Sequence, residues 1–304
     1  MDALKRTALI LGLVLSATAA YAQATSPAPS SSTAPLPTTR STSATQAATT
    51  PTTPPAFKED FFTTSDGIKI HYLTAGTTGS WVVLIHGYSD NAERMWFRTG
   101  IAPALAKNHR IVALDNRNHG KSDKPISGGT GKAQDVVELM DHLKIDRAHI
   151  HGYSMGGGLT GQLLAMIPQR FITAGFGGSG IQETDPKLRA QAQAMDDALP
   201  KATGEDAAAM DRFRSRVAST RPASQPAVST QPLQVDLTKL NIPILAVNGS
   251  FDSPYAKTQR IWREAPVFEN VILANKTHLT AISSQGAPPL YIESITRFID
   301  AYDR

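Results

Sequence analysis

The pentapeptide Gly152-Tyr153-Ser154-Met155-Gly156 sets a serine between two flanking glycines. Ahead of it, Ala148–Tyr153 is an apolar run of strand length; behind it, Met155–Met166 reads as a helix that stops before Pro168. A strand, a sharp turn and a helix in that order lift the Ser154 hydroxyl clear of the chain and set backbone N–H groups of the helix start beside it. A free hydroxyl is a weak nucleophile and needs a base, which a third group must orient. Two later residues suit these tasks. Asp252, in Gly249-Ser250-Phe251-Asp252, lies just past the apolar run Ile242–Val247, and His278, in Asn275-Lys276-Thr277-His278-Leu279, follows the last such run. Attack by Ser154 on an acyl carbonyl, with His278 as general base and Asp252 as its orienting acid, is the chemistry these three can do together.

To act jointly they must reach one place. Unbroken apolar runs of strand length occur at Trp81–Ile85, Ile111–Leu114, Ala148–Tyr153, Phe171–Phe176, Ile242–Val247 and Val267–Ala274. Runs of this kind fit buried parallel strands. An earlier pair, Asp60–Thr64 and Ile68–Thr74, flanks Ser65-Asp66-Gly67 and predicts a hairpin. Between the runs lie helical faces, such as Ala133, Val136, Val137, Met140 and Leu143, or Tyr291, Ile295, Phe298, Ile299 and Tyr302. The alternation predicts an α/β fold, a mostly parallel sheet with helices on both faces. Ser154, Asp252 and His278 all then fall at the carboxyl ends of strands, where open α/β sheets bind ligands. One interval breaks the rhythm. Residues 181–239 hold two helical stretches, Pro186–Leu199 and Gly204–Thr220, then a Pro-, Ser- and Gln-rich segment, Arg221–Gln234. An insertion between two sheet strands reads as a short helical cap over one edge of the sheet.

With the order nucleophile, acid, histidine in place, residues 57–304 resemble the α/β-hydrolase fold superfamily, in its serine-nucleophile branch. His86-Gly87-Tyr88 is similar to that family's His-Gly-x oxyanion loop, and Asp115-Asn116-Arg117-Asn118-His119-Gly120-Lys121-Ser122-Asp123 to its D-x-R-G-H-G-x-S-D turn, with Asn118 where glycine is usual. Asn tolerates positive φ better than most residues. The resemblance implies an oxyanion hole from the backbone N–H groups of Tyr88 and Met155, and structural roles for His86 and the 115–123 turn. It implies a serine hydrolase cleaving small carboxylic esters through an acyl-enzyme, with no cofactor and no metal. Enol-lactonase and carbon–carbon bond hydrolase chemistry on the same triad are the alternatives, followed by a catalytically silent binding protein. The serine argues against the dehalogenase and epoxide-hydrolase branches, which carry aspartate there. The expected partner is a small ester or lactone, not nucleic acid.

Other motifs are set aside on physical grounds. Gly175-Phe176-Gly177-Gly178-Ser179-Gly180 matches a dinucleotide fingerprint, but Ile181–Pro186 intervenes before any helix. The stretch ending Gly131-Lys132 continues with Ala133 where a phosphate loop needs Ser or Thr. His149 and His151 share one face of a strand with no cluster of carboxylates nearby, and read as core residues rather than metal ligands.

The chain has no cysteine, which excludes disulfides, thiol nucleophiles and Cys-ligated zinc. Its net charge of +4 partly reflects the first 56 residues; beyond them 27 basic residues face 25 acidic ones, too even a balance for a nucleic-acid binder. Residues 1–22 read as a signal peptide, with Lys5 and Arg6, the apolar run Ala8–Ala17, and Ala20-Tyr21-Ala22 at a cleavage site. Its apolar run falls short of the ~20 residues a bilayer demands, so no spanning segment is expected after its removal. Export to the periplasm or medium follows as the expected location. Of the 34 residues 23–56, 30 are Thr, Ser, Pro or Ala, the composition of a stiff disordered linker, either a tether or a passive leader. Limited proteolysis of the mature chain is therefore expected to cut first within residues 23–56, and a chain starting near Ala56 to remain soluble and active. Protection of that stretch, seen by mass mapping of the fragments, would refute the linker.

Overall fold

Strands rich in Val, Ile and Leu need apolar cover on both faces, and the chain meets this with one sheet between two helical layers. The computed structural model describes residues 56–125, 131–220, 235–283 and 285–303. The expected signal segment 1–22, the linker 23–56 apart from Ala56, and Arg221–Gln234 lie outside the described residues. Among the described residues the sheet has eight strands in the order β1-β2-β4-β3-β5-β6-β7-β8. The hairpin comprises β1 (Lys58–Thr63) and β2 (Lys69–Ala75), closed by a turn in which Gly67 N–H donates to Thr64 O at 2.9 Å. β2 also pairs antiparallel with β4 (Arg110–Leu114). All other pairings are parallel, through β3 (Trp81–Ile85), β5 (Ala148–Tyr153), β6 (Phe171–Gly177), β7 (Ile244–Gly249) and β8 (Phe268–Leu273). β7 starts two residues later than the apolar run Ile242–Val247 suggests. Pro243 lies in that run and has no N–H to give a ladder, so pairing begins past it.

The period of two divides each strand between two cores. Val83 and Ile85 join Ala133, Val136 and Met140 of α2 (Ala133–His142) and Leu159 and Leu163 of α3 (Met155–Met166). Val82 and Leu84 face the other way, against Ile101 and Leu105 of α1 (Ile101–Leu105) and Tyr291, Ile295 and Phe298 of α7 (Pro289–Tyr302). The cap interval contains α4 (Pro186–Ala198) and α5 (Gly204–Thr220); α4 starts where Asp185 accepts from Lys187 N–H at 2.8 Å. The helix after β7 is α6 (Pro254–Glu264). Among the described residues no helix is long and apolar enough to cross a membrane.

The 115–123 turn works as a polar clamp beneath the site. Asp115 accepts from Ala92 N–H and Lys121 N–H, each at 2.8 Å, and from His71 Nδ1 at 2.8 Å. Burial would raise this carboxyl, but those hydrogen bonds outweigh it and hold its pKa at about 2. Asn118 takes up φ 68°, the left-handed backbone that glycine would otherwise supply. Arg117, 1% exposed, forks onto Asp135 at 2.8 and 2.5 Å and reaches Asp66 of the hairpin turn at 3.1 Å. Removing one partner of a buried pair leaves the other charge uncompensated, so Asp135→Ala is expected to cost about 3–5 kcal/mol. A urea melt should show the midpoint falling by about 1–2 M; an unchanged midpoint would mean that Asp66 alone satisfies Arg117.

Candidate active site

The geometry of Ser154 begins in its backbone. Ser154 ends β5 and opens α3 with φ 54° and ψ −111°, a region that non-glycine residues rarely occupy. Its N–H donates to Gly177 O at 2.8 Å and its carbonyl accepts from Gly158 N–H at 3.1 Å, so β6 and α3 grip the turn from either side. The flanking glycines are needed because strand and helix start are pressed together. A Cβ on Gly152 would stand 2.1 Å from Gly156 O, and one on Gly156 would stand 2.0 Å from Ile85 O.

The three residues singled out in the sequence meet here. Ser154 Oγ lies 2.7 Å from His278 Nε2, and His278 Nδ1 lies 2.8 Å from Asp252 Oδ2. The consistent proton arrangement has Nδ1–H donating to Asp252 and Nε2 accepting from the serine hydroxyl. The loops carrying the acid and the histidine are stitched directly. Phe251 N–H donates to Lys276 O at 3.0 Å, and Asn275 N–H donates to Ser250 Oγ at 2.9 Å. Burial works to raise the Asp252 carboxyl, but the His278 hydrogen bond and the Lys257 charge prevail, and its pKa lies below the ordinary value.

The loop holding Tyr88 sits against Ser154: a Cβ on Gly87 would lie 3.2 Å from Ser154 Cβ. His86 anchors that loop. Its Nδ1 donates to Gly87 O at 2.7 Å and its Nε2 accepts from Asn116 N–H at 2.9 Å. Full burial pushes its pKa down to about 4, which keeps the ring neutral and suited to that double task. Met155 occupies the first position of α3, where backbone N–H groups lack partners within the helix.

Several residues around the site were not legible beforehand. Tyr153 is 2% exposed and its hydroxyl donates to His278 O at 2.6 Å. Burial lifts its pKa well above the usual value, so it stays a donor and pins the histidine loop from within. Phe213, the single aromatic of the cap interval, lies over the imidazole with ring centroids 5.8 Å apart. Lys257 Nζ reaches Asp252 Oδ1 at 2.5 Å. Its place five residues after the acid, one turn into a helix, is a signal only once that helix start is known.

His149 and His151 are buried and serve different neighbours. His151 Nε2 meets Tyr291 Oη at 2.8 Å, and His149 Nδ1 meets Thr173 Oγ1 at 2.8 Å. A carboxylate does stand near His149 in space: Asp303, from the far end of the chain, is 3.7 Å from its Nε2.

The family model described as the alpha/beta hydrolase fold matches residues 80–255, and the chain belongs to that family. A 114-residue stretch is 35% identical to the dihydrolipoyllysine-residue acetyltransferase component of the acetoin cleaving system of Cupriavidus necator, covering 37% of this chain and 30% of that protein. Another, of 95 residues, is 37% identical to a soluble epoxide hydrolase of Corynebacterium sp., covering 30% of this chain and 32% of that one. The matches thus span about a third of these relatives. Among solved structures, a thermophilic esterase from Thermogutta terrifontis superposes with TM-score 0.58 at 18% identity, over 81% of this chain and all of that one (100%). The enol-lactonase from Burkholderia xenovorans gives 0.55 at 21% identity, over 80% and 99%. At these identities the likeness is one of fold.

The geometry makes Asp252→Asn a discriminating change. With Lys257 donating to one side, the amide would turn its oxygen to the lysine and its NH2 to His278. Nδ1 would then have to accept, and Nε2 would carry the proton that blocks it as a base. By analogy with serine proteases the loss in kcat is expected at roughly 10³–10⁴, with Ser154→Ala abolishing turnover in a folded protein. A loss under about tenfold for the asparagine variant would remove Asp252 from the acid role.

Proposed function

We propose that this chain is a serine hydrolase that cleaves small carboxylic esters through an acyl-enzyme. One observation carries the reading: the continuous chain Ser154 Oγ, His278, Asp252, with links of 2.7 and 2.8 Å, standing on a turn whose nucleophile has φ 54°. Ser154 Oγ attacks the acyl carbonyl while its proton passes to His278 Nε2. The carbonyl oxygen gathers charge against the N–H groups of Tyr88 and Met155. His278 then protonates the departing alcohol, and the acyl-enzyme forms. Water enters, gives its proton to the same nitrogen and releases the acid, returning Ser154. Asp252 stays ionised throughout and steadies the imidazolium.

The structural neighbours include an esterase and an enol-lactonase, which supports acyl chemistry on this scaffold and keeps lactones as the second substrate class. Fold alone does not choose between them. The signal-like residues 1–22 support action outside the cytoplasm. A fluorophosphonate probe separates an enzyme from a silent binding protein, since it reacts only with an activated serine. Wild-type protein is expected to be labelled and Ser154→Ala not.

The cap limits substrate size. With Phe213 as its aromatic and many alanines and charges around it, it offers a modest apolar roof. Each buried methylene of an acyl chain gains about 0.8 kcal/mol only while room remains. Across p-nitrophenyl esters from acetate to palmitate, kcat/KM is expected to peak at about two to six carbons, without activation at lipid interfaces. A maximum at about twelve carbons or more would overturn the small-ester reading, and faster opening of lactones than of any ester would move the assignment to lactonase.

A further inference from the structure

A carboxylate that orients a histidine has two oxygens, and the second must also be held. In this chain it is held by a cation. Lys257 Nζ stands 2.5 Å from Asp252 Oδ1, while Oδ2 receives His278 Nδ1 at 2.8 Å. Both side chains are largely buried, Asp252 at 10% and Lys257 at 23% exposure. Burial draws the lysine's pKa down and the charge of Asp252 opposes this.

The position of Lys257 depends on how α6 begins, and that start is unusual. Ser253, the residue before the helix, has left-handed backbone at φ 48° and its side chain makes no capping hydrogen bond. Pro254 at the first position has no N–H to offer. The next two N–H groups are capped from elsewhere in the chain. Asp196, on α4 of the cap and 2% exposed, accepts from Tyr255 N–H at 2.9 Å through one oxygen and from Ala256 N–H at 2.8 Å through the other. A carboxylate on the first turn also meets the positive end of the helix dipole. The cap is thus fastened to the turn that aims Lys257. A second buried carboxylate, Glu183, ties the cap's root to the far end of α6 through Arg263 at 2.8 Å.

We propose, resting on the serine-hydrolase reading, that Lys257 is a positioning residue of the triad. It holds Asp252 by Oδ1 so that Oδ2 is committed to His278, and Asp196 transmits the seating of the cap to it. Lys257 does not touch substrate; it acts through the acid. Two effects follow, of opposite sign. A carboxylate free to rotate holds the imidazolium less firmly, whereas loss of the cation leaves the full charge of Asp252 facing His278 and makes the ring easier to protonate. In this largely buried cluster the charge effect is expected to prevail, so the acid limb of the pH–rate profile moves to higher pH. The other groups facing the imidazole are Ser154 and Tyr153 at the end of β5 and the Phe213 ring of the cap, with Asp196 behind Lys257. Tyr153 stays protonated and Phe213 carries no charge, so the limb reports the Asp252, Lys257 and His278 cluster.

The test compares Lys257→Met, Lys257→Arg and Asp196→Asn with wild type, using p-nitrophenyl acetate from pH 4 to 10 alongside thermal melts. For Lys257→Met, kcat is expected to fall roughly tenfold or more with KM within about twofold. The midpoint of the acid limb in kcat/KM should rise by about one pH unit. Lys257→Arg keeps the charge and should return the limb to its wild-type position with most of the rate. Asp196→Asn keeps one acceptor oxygen but sets an NH2 donor against the other backbone N–H, so it should loosen the start of α6 and shift the limb in the same direction by less. An unmoved limb in Lys257→Met, or an equal loss in Lys257→Arg with lowered melting in both, would overturn positioning and leave Lys257 a packing residue. Fluorophosphonate labelling of wild type keeps the two claims apart. Labelling with an unmoved limb sinks this proposal alone, whereas no labelling sinks the hydrolase reading and this proposal with it.

Discussion

Ser154 holds its backbone where an L-residue gains nothing locally, at φ 54° and ψ −111°. Conformations of that kind cost about 1–3 kcal/mol and persist only where the surroundings over-determine them. Here the surroundings are the sheet itself. β5 delivers the residue, β6 binds its N–H, α3 binds its carbonyl, and β3 lies so near that Gly156 admits no side chain against Ile85 O. The packing of strand on helix and the exposure of one hydroxyl are a single constraint. Everything else in the site is placed relative to that turn.

Around it the polar groups divide into those that hold and those that can react. His86 bridges Gly87 O and Asn116 N–H as a neutral ring, and Asp115 ties together the hairpin, the 92 region and its own turn. These spend their hydrogen-bonding capacity on backbone and are fixed. His278 differs, since one nitrogen is committed to Asp252 and the other faces the serine hydroxyl. The loops that carry acid and histidine are bonded to each other, and Tyr153 grips the histidine loop from the core. Precision at the reacting atoms thus comes from rigid elements, as efficient positioning requires.

The relatives show how little the scaffold says about chemistry. An esterase and an enol-lactonase share this arrangement of strands at about one fifth identity. The curated matches cover about a third of proteins named for quite different work. Function must therefore be argued from side chains at the sheet's carboxyl edge and from the cap above it. In this chain the cap is fastened to α6 at two buried carboxylates, Asp196 and Glu183. Its helix α4, which carries Asp196, belongs to the architecture of the site as much as to the cap.

Period and order in the amino-acid sequence determined the sheet, the two helical layers and the carboxyl-end positions of Ser154, Asp252 and His278. Those are local matters: an apolar run of strand length, a glycine either side of a serine, a histidine after the last strand. Pro243 delayed one strand by two residues because pairing needs an N–H that proline lacks. Asn118 at positive φ was foreseeable from its small polar side chain. What only the tertiary structure decided is which groups from distant segments meet. Asp303 comes within 3.7 Å of His149, although they are far apart in sequence. Tyr153 lies one residue before Ser154, yet its inward direction is set by the alternation of β5 and by Gly178, where a Cβ would stand 2.7 Å from its ring. Asp196 precedes the helix it caps by some sixty residues. A sequence displays residue types and their neighbours along the chain, but a capping carboxylate or a buried ion pair is satisfied through space. Its partner is identified only when packing brings the two together and excludes the water that would otherwise serve both.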